Sequence, residues 1–150
     1  WPAKIPAGRV SNEMVHILDM LPTLARVGGA PVPNDRPIDG VDQLDFFESK
    51  QEQSNRVGFP AYVADRLSAV KWRNWKMHFI WQENMYDAPI TLAEPKVINL
   101  LTDLKEERDV AVKVGWVATP MMKIVEDWEA SLKKHPPIKM GTPDPYKPSR

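Results

Sequence analysis

The sequence contains no cysteine among its 150 residues, and this absence excludes several kinds of chemistry. A chain without thiols has no disulfide, no cysteine-ligated zinc and no thiol nucleophile. The absence of cysteine does not indicate the compartment, because a cysteine-free chain is compatible with both reducing and oxidising environments. A net charge is also absent, since 20 basic residues balance 20 acidic ones. Nucleic acids and membrane surfaces attract proteins with a basic excess, so we expect neither as a partner.

Motifs of common active sites are missing as well. No apolar run approaches the roughly 20 residues that cross a membrane, and no signal-peptide pattern is present. The sequence has neither a glycine-rich phosphate loop nor a Gly-x-Ser-x-Gly nucleophile elbow. Its three histidines, His16, His78 and His135, fall in separate segments. Nothing sets them at metal-ligand spacing, so we expect no metal site in this chain.

Aromatic residues are concentrated in residues 67–81, which predict a β-hairpin turning at Arg73-Asn74. Asn74 favours the turn because asparagine tolerates positive φ, although a three- or four-residue loop is an alternative. With a two-residue turn, one face carries Trp72 opposite Trp75 and Val70 opposite Met77, while the other carries Lys71 opposite Lys76 and Ala69 opposite His78. The first face belongs in a core, and the like-charged second face requires anions or water.

The other segments predict an α+β fold, a small antiparallel sheet of about four strands packed with a long C-terminal helix. Residues 1–56 form a lead-in, a short helix and loops, 57–101 the sheet, 119–135 the helix and 136–150 an extended tail. Pro2, Pro6 and Gly8 predict that Trp1 to Arg9 is extended. Because the chain begins without Met, we expect this segment to continue a strand from earlier sequence.

Capping residues, prolines and acidic pairs predict where the helices and loops lie. Asp19 is a good N-cap for a helix that ends at Gly28 or Gly29 and buries Leu21, Leu24 and Ala25. Thr119 and Pro120 open the long helix, whose buried stripe includes Trp128. Two prolines make residues 82–96 a long loop. The acidic pairs are interpreted as solvated charge: Asp42/Asp45 and Glu106/Glu107.

Five motifs occur in an order that resembles the C-terminal part of an arylsulfatase of the formylglycine-dependent sulfatase family. They are Trp1-Pro-Ala-Lys-Ile-Pro-Ala-Gly8, Asp19-Met-Leu-Pro-Thr-Leu24, Pro37-Ile-Asp-Gly40, residues 67–79 of the hairpin and Ile98-Asn-Leu-Leu-Thr-Asp-Leu-Lys-Glu-Glu-Arg108. Each motif is weak alone, but their order over residues 1–108 is fairly specific. The resemblance implies a small antiparallel sheet and one long helix that follow a large catalytic domain.

The resemblance implies a parent enzyme that hydrolyses sulfate esters with a formylglycine made from Cys or Ser in a Cys/Ser-x-Pro-Ser-Arg motif, and with calcium. We expect these parts on sequence before Trp1, so that this chain holds no catalytic and no metal residues. Tyr146-Lys-Pro-Ser-Arg150 matches the end of that motif by coincidence, because a phenol cannot give the aldehyde. The implied partners are the missing N-terminal catalytic domain and a sulfate ester substrate, and the implied compartment is periplasmic or secreted. The sequence does not indicate the oligomeric state, and a homo-oligomer is one alternative.

Residues near the hairpin are the candidates for a substrate cleft. By resemblance, the loop from Gln82 through Glu83 and Asn84 lies at the mouth of the active site, while Lys76 and His78 belong to a Lys-x-His-Phe strand whose role we expect to be structural rather than contact with an anion. Two hypotheses follow: a C-terminal sulfatase subdomain that is inert alone, or a stand-alone binding module that kept the sulfatase fold. A large exposed apolar face favours the first.

Overall fold

The computed structural model describes residues 1–138 and 141–143, and the sheet lies at its centre. Four antiparallel strands follow one another in space as in sequence: β1 (Gly58–Val63), β2 (Arg66–Trp72), β3 (Trp75–Trp81) and β4 (Ile90–Asn99). The α-helices are α1 (Met20–Val27), α2 (Leu44–Phe47) and α3 (Ala118–Lys134). The α+β fold with four strands and a long C-terminal helix is therefore confirmed. None of the described helices is long and apolar enough to cross a membrane.

The hairpin of β2 and β3 has the register that the alternating sequence predicts. Trp72 pairs with Trp75, and the other expected pairs follow along the ladder, including Lys71 with Lys76. A two-residue turn fixes this register because a slip by one residue would exchange the two faces. Arg73, rather than Asn74, adopts positive φ, at 51°. Asn74 instead donates a side-chain hydrogen bond to Asn99 Oδ1 at 3.0 Å.

The apolar core lies between this sheet and α3. Three strand residues and three residues of the α3 segment are buried together: Val70, Met77, Val97, Val117, Met121 and Val125. Gly58 brings β1 close to α3, because a Cβ there would lie 2.5 Å from Ile124 Cδ1 and 2.3 Å from the Lys71 carbonyl oxygen. Trp128 is only half-buried, so the expected deep burial of that residue is wrong.

The start of α3 differs from the expectation. The helix begins at Ala118 after a 3₁₀ turn over Gly115–Val117, and its N-cap, Val117, makes no side-chain capping bond. Thr119 is therefore within the first turn and does not cap the helix. The expected extended tail and the Tyr146 motif fall largely outside the described residues.

The long loop expected over residues 82–96 is too long, since β4 starts at Ile90. The two prolines in that segment suggested a loop, yet the structure accommodates Pro95 inside the strand. The β3–β4 register shifts between His78, which pairs with Lys96, and Ile80, which pairs with Thr91. Pro95 lies within this bulge, where no ladder N–H is needed. The loop therefore ends at Pro89.

Residues before the sheet form an N-terminal layer, residues 1–56. Trp1 begins a turn rather than a strand, because its carbonyl accepts the N–H groups of Lys4 at 3.0 Å and Ile5 at 2.8 Å. In α1, Leu21 is 51% exposed and Leu24 is 58% exposed. The expected buried side of this helix is therefore wrong, and its buried residues are Pro22 and Thr23.

Asp19 connects separate segments of the N-terminal layer to one another. Its carboxylate is fully buried and accepts the backbone N–H groups of His16 and Val41, both at 2.9 Å. It also pairs with the Arg56 guanidinium. Burial alone would raise the pKa of Asp19, but the hydrogen bonds from Arg56 and the backbone outweigh it and lower the pKa to about 2. Asp19 is therefore the last residue of the 3₁₀ turn Ile17–Asp19 and forms a capping box with its N-cap, His16, while its side chain makes no capping bond to α1.

Gly40 shows how closely the N-terminal layer is packed. A Cβ at this position would lie 2.1 Å from the Leu18 carbonyl oxygen and 2.9 Å from Pro22 Cδ. Only glycine fits such a contact without displacing backbone. The Pro37-Ile-Asp-Gly40 motif therefore has a packing role against α1 in this fold.

Candidate functional site

The sheet face opposite α3 carries a cleft, which we call the outer cleft. Its volume is about 730 Å³, and its lining includes the small side chains of Ala61, Ser68 and Ala69. Residues 104–107, on the turn that follows β4, line it as well. Because small residues occupy the middle of the sheet face, the turn and the end of β3 can enclose a space above them.

Glu106 connects the turn to the sheet. Its two carboxylate oxygens lie 2.7 Å and 2.9 Å from Lys76 Nζ, and one of them lies 2.5 Å from His78 Nε2. All three side chains are half-buried or buried, with the His78 side chain 11% exposed. The position of Glu106 opposite Lys76 relieves the repulsion between Lys76 and Lys71 across the ladder. Glu106 is therefore an integral part of this face. The interpretation of Glu106 as solvated charge, which the sequence suggested, is wrong.

The protonation of this cluster follows from its surroundings. Burial lowers the pKa of His78 below its ordinary value, and the charge of Lys76 lowers it further, while Glu106 opposes both. Burial raises the pKa of Glu106, but the hydrogen bond and charge of Lys76 and the contact with His78 together outweigh burial and lower the pKa. At neutral pH the cluster therefore holds an ionised glutamate and a neutral histidine. A neutral His78 donates from Nε2, which leaves Nδ1 as an acceptor.

Trp81 stands beside this cluster at the end of β3. Its ring meets the His78 ring edge to face at 5.1 Å, and Lys96 Nζ lies over it, 4.0 Å from the ring centroid. The indole Nε1 donates to Glu83 at 2.7 Å. An ammonium over an indole face is a favourable contact, so Lys96, Trp81 and Glu83 hold one another at the cleft.

The structure brings together four of the five residues that the sequence suggested. Lys76, His78, Gln82 and Glu83 line the outer cleft, whereas Asn84 does not. Asn84 instead fastens the loop after β3, since its N–H and Nδ2 donate to Asp87 Oδ2 at 3.0 Å and 2.8 Å. Gln82 has a similar role, donating to the carbonyl oxygens of Met85 and Asp87 at 3.0 Å and 2.8 Å.

Sequence reasoning missed Glu106, Trp81 and Lys96. One signal for Glu106 was present, because two lysines facing each other across a hairpin require an anion. Which carboxylate supplies it depends on a contact between residues 30 positions apart. No local pattern in the sequence reports such a contact.

The cleft acids do not fit a calcium site. Calcium takes six to eight oxygen ligands, whereas Glu106 is held by Lys76 and Glu83 by Trp81. Asp109 accepts the N–H groups of Val97 at 3.0 Å and Ala111 at 2.9 Å. Within residues 1–138 and 141–143, no group of three or more acidic, histidine or cysteine side chains could hold a metal ion.

A second notable surface lies on the N-terminal layer. Ile17, Leu21 and Leu24 are spaced by four and three residues, as on one side of a helix, and they are 78%, 51% and 58% exposed. Leu18, next to them, is 46% exposed. We call these four residues the α1 apolar surface. It is the reverse of an ordinary surface helix, because the polar Asp19 and Thr23 face inward instead.

Known proteins similar in sequence are sulfatases. The chain is 37% identical to human steryl-sulfatase over 82 residues, which is 55% of this chain and 14% of that protein. It is 33% identical to human arylsulfatase H over 86 residues, covering 53% and 15%, and 36% identical to canine N-acetylgalactosamine-6-sulfatase over 87 residues, covering 58% and 16%. The chain thus matches about one seventh of the length of these relatives. No protein-family model matches it.

Solved structures with the same fold include a sulfatase. The PsFucS1 sulfatase from Pseudoalteromonas sp. superposes with a TM-score of 0.82 at 27% identity, over 94% of this chain and 30% of that chain. The Ps i-CgsB structure in complex with k-i-k-neocarrahexaose gives a TM-score of 0.65 at 21% identity, over 87% of this chain and 28% of that chain. The second likeness concerns the fold alone.

The four-stranded meander with one long helix has the fold of the C-terminal subdomain of a sulfatase. The resemblance to the C-terminal part of an arylsulfatase that the five ordered motifs predicted is thereby confirmed, as a similarity that covers about half of this chain.

Proposed function

We propose that this chain supports the catalytic domain of a sulfatase and helps to shape its substrate cleft, without being catalytic alone. The proposal treats residues 1–150 as one C-terminal subdomain whose partner is an N-terminal catalytic domain. A nucleophile derived from cysteine cannot arise here, since the chain has none, and the acids of the outer cleft are engaged by neighbours. The formylglycine and calcium of the family therefore belong, in this proposal, to the catalytic domain.

The observation that carries the proposal is the α1 apolar surface. A helix that buries an aspartate and exposes its isoleucine and leucines loses hydrophobic stabilisation unless another surface covers it. The chain matches 30% of PsFucS1, and a covering partner of sulfatase origin is consistent with that proportion. A stand-alone binding module would have no need of this exposed face.

The outer cleft supports the second part of the proposal. Its lining combines lysines, acids, the amide of Gln82 and the indole of Trp81, a set that offers donors, acceptors and one aromatic surface. Such a lining suits the hydroxyl-rich part of a sulfated saccharide better than a wholly apolar ester. The neocarrahexaose bound to Ps i-CgsB, a protein of the same fold, is a ligand of that kind.

Two measurements test the proposal. The purified 150-residue chain should not hydrolyse 4-nitrophenyl sulfate, and activity that followed the chain through purification would overturn the proposal. The gene upstream of Trp1 should encode a Cys/Ser-x-Pro-Ser-Arg motif, and the whole protein should hydrolyse sulfate esters. A gene without such a motif, together with a monomeric, stable 150-residue chain, would favour the stand-alone binding module.

A further inference from the structure

Glu106 has an unusual backbone for a non-glycine residue, with φ at 60°. Left-handed backbone is disfavoured for side chains other than glycine, asparagine and aspartate, and it persists where surrounding contacts fix it. Two carboxylates supply such contacts here. Asp103 accepts the Arg108 N–H at 2.8 Å and the N–H groups of Glu106 and Glu107, which shapes the turn. The Glu106 carboxylate binds Lys76 through both oxygens and His78 through one, which ties the turn directly to β3.

These contacts also determine what Lys76 and His78 can offer to a ligand. The Lys76 ammonium lies within 2.9 Å of both carboxylate oxygens, so its charge is matched inside the protein. His78 uses Nε2 for Glu106, and its Nδ1 has no hydrogen-bond partner among the described residues. The charged groups around His78 are Lys76 and Glu106 on one side and Lys96 on the neighbouring strand.

We propose that Glu106 is a positioning residue of the outer cleft, acting through Lys76 and His78. It holds the turn at residues 104–107 beside the sheet, and it fixes the His78 ring with Nε2–H directed to the carboxylate and Nδ1 as the acceptor. Lys76 serves as the internal counter-ion of this arrangement and not as an anion-binding group. The part of this inference that concerns ligand binding rests on the proposed function, while the part that concerns His78 does not.

The first experiment reads the state of His78 directly by NMR of the ¹⁵N-histidine-labelled whole protein, titrated with pH. Replacement of His16 and His135 assigns the three histidine signals. The native protein should give a neutral His78 with the proton on Nε2. Glu106→Gln keeps the size of the side chain but removes its charge, so the His78 titration should move to lower pH.

Two further variants make this result specific. Lys76→Gln removes the cation that lowers the pKa of His78, so the titration should move to higher pH, opposite to Glu106→Gln. Glu129→Gln is the matched control, since Glu129 is exposed on α3 and does not line the outer cleft, and it should leave the titration unchanged. Identical His78 titrations in Glu106→Gln and Glu129→Gln would overturn the proposal. If Glu106→Gln does not fold, a native-like titration in Lys76→Gln would overturn it equally.

The second experiment measures sulfate ester hydrolysis by the whole protein. Glu106→Gln should raise KM several-fold while changing kcat much less, because the residue orders the cleft and does not contact the reacting atoms. Glu129→Gln should match the native enzyme. A shifted His78 titration in a protein without sulfatase activity would support the positioning role and refute the proposed function. Sulfatase activity with native kinetics and a native His78 titration in Glu106→Gln would refute the positioning role alone.

Discussion

The N-terminal layer buries a larger share of polar residues than the sheet with α3 does. Between the sheet and α3 the interior is apolar, with Val70, Met77 and Met121 at its centre. The N-terminal layer buries Asp19, Thr23 and Gln43 beside the apolar Leu44 and Phe46, and it leaves the α1 apolar surface outside. The first arrangement is stabilised by removing apolar area from water. The second depends on complete hydrogen bonding of its buried polar groups and, in our proposal, on a partner that covers the leucines.

This difference indicates which part is self-sufficient. A buried ion pair is weak support for stability, because desolvation offsets most of its attraction, yet removing one partner is costly. The N-terminal layer therefore has a specific hydrogen-bonded geometry, but hydrophobic burial stabilises it less than it stabilises the sheet and α3, because its large buried apolar side chains are those of Leu44 and Phe46. The sheet and α3 should hold together without help. The expectations below test this contrast, from the largest effect to the smallest.

Asp19→Asn should have the largest effect on folding. The change leaves the Arg56 guanidinium, whose side chain is 8% exposed, without its carboxylate, and breaking a buried pair in this way costs about 3–5 kcal/mol. Urea unfolding followed by tryptophan fluorescence measures it. Asp35→Asn is the control, because Asp35 pairs with Arg36 on the surface, and it should leave the midpoint unchanged. Equal midpoints for both variants would contradict the central role of Asp19.

Met121→Ala should destabilise the sheet and α3 by about 2–5 kcal/mol, since it creates a cavity in a core where Met121 is fully buried. The neighbouring Met122 is exposed, so Met122→Ala should stay within about 0.5 kcal/mol of the native chain. Thermal unfolding by circular dichroism compares the two. A small loss for Met121→Ala would mean that the sheet and α3 are not the self-sufficient part.

Leu24→Ser should distinguish the isolated chain from the whole protein. In the 150-residue chain the change should alter stability by no more than about 0.5 kcal/mol, because Leu24 is exposed. In the whole protein it should cost about 1.5–3 kcal/mol if a catalytic domain covers the residue. Val112→Ser, at a fully exposed valine, should have no effect in either. Equal effects of Leu24→Ser in both proteins would remove the support for a covering partner.

The same contrast explains how much the sequence could predict. The β2–β3 hairpin was predictable to the residue pair, because alternation and a short turn leave one register that buries Val70 and Met77 together. The orientation of α1 was not predictable from the sequence. Helical spacing identifies the apolar side of the helix, but it does not indicate whether that side packs against this chain or against another. Burial of Asp19 depends on Arg56, 37 residues away, and such contacts leave no local pattern.

In the outer cleft, the sequence indicated Lys76 and His78 but not the carboxylate between them. The lysine pair required an anion, yet several acids were equally eligible until the fold brought Glu106 to the sheet. The extra length of β4 was missed because prolines usually exclude a strand, and only the bulge opposite Phe79 makes Pro95 acceptable.

The smallest expected effect concerns pH. His78 has a lowered pKa in the folded chain, so between its folded and unfolded pKa values the unfolded chain binds more protons, and stability falls as the pH drops below the ordinary histidine range. Glu106, whose pKa is also lowered, acts in the same direction at more acidic pH, because its contribution is lost as the pH falls through its folded pKa. Urea midpoints measured from pH 8 to pH 4 should therefore decrease steadily. Replacement of His78 by glutamine should remove the upper part of this decrease, while the same replacement at His135, which is exposed, should keep it. An unchanged pH dependence in His78→Gln would show that the outer face of the sheet, unlike the N-terminal layer with its buried Asp19, does not couple its charges to folding.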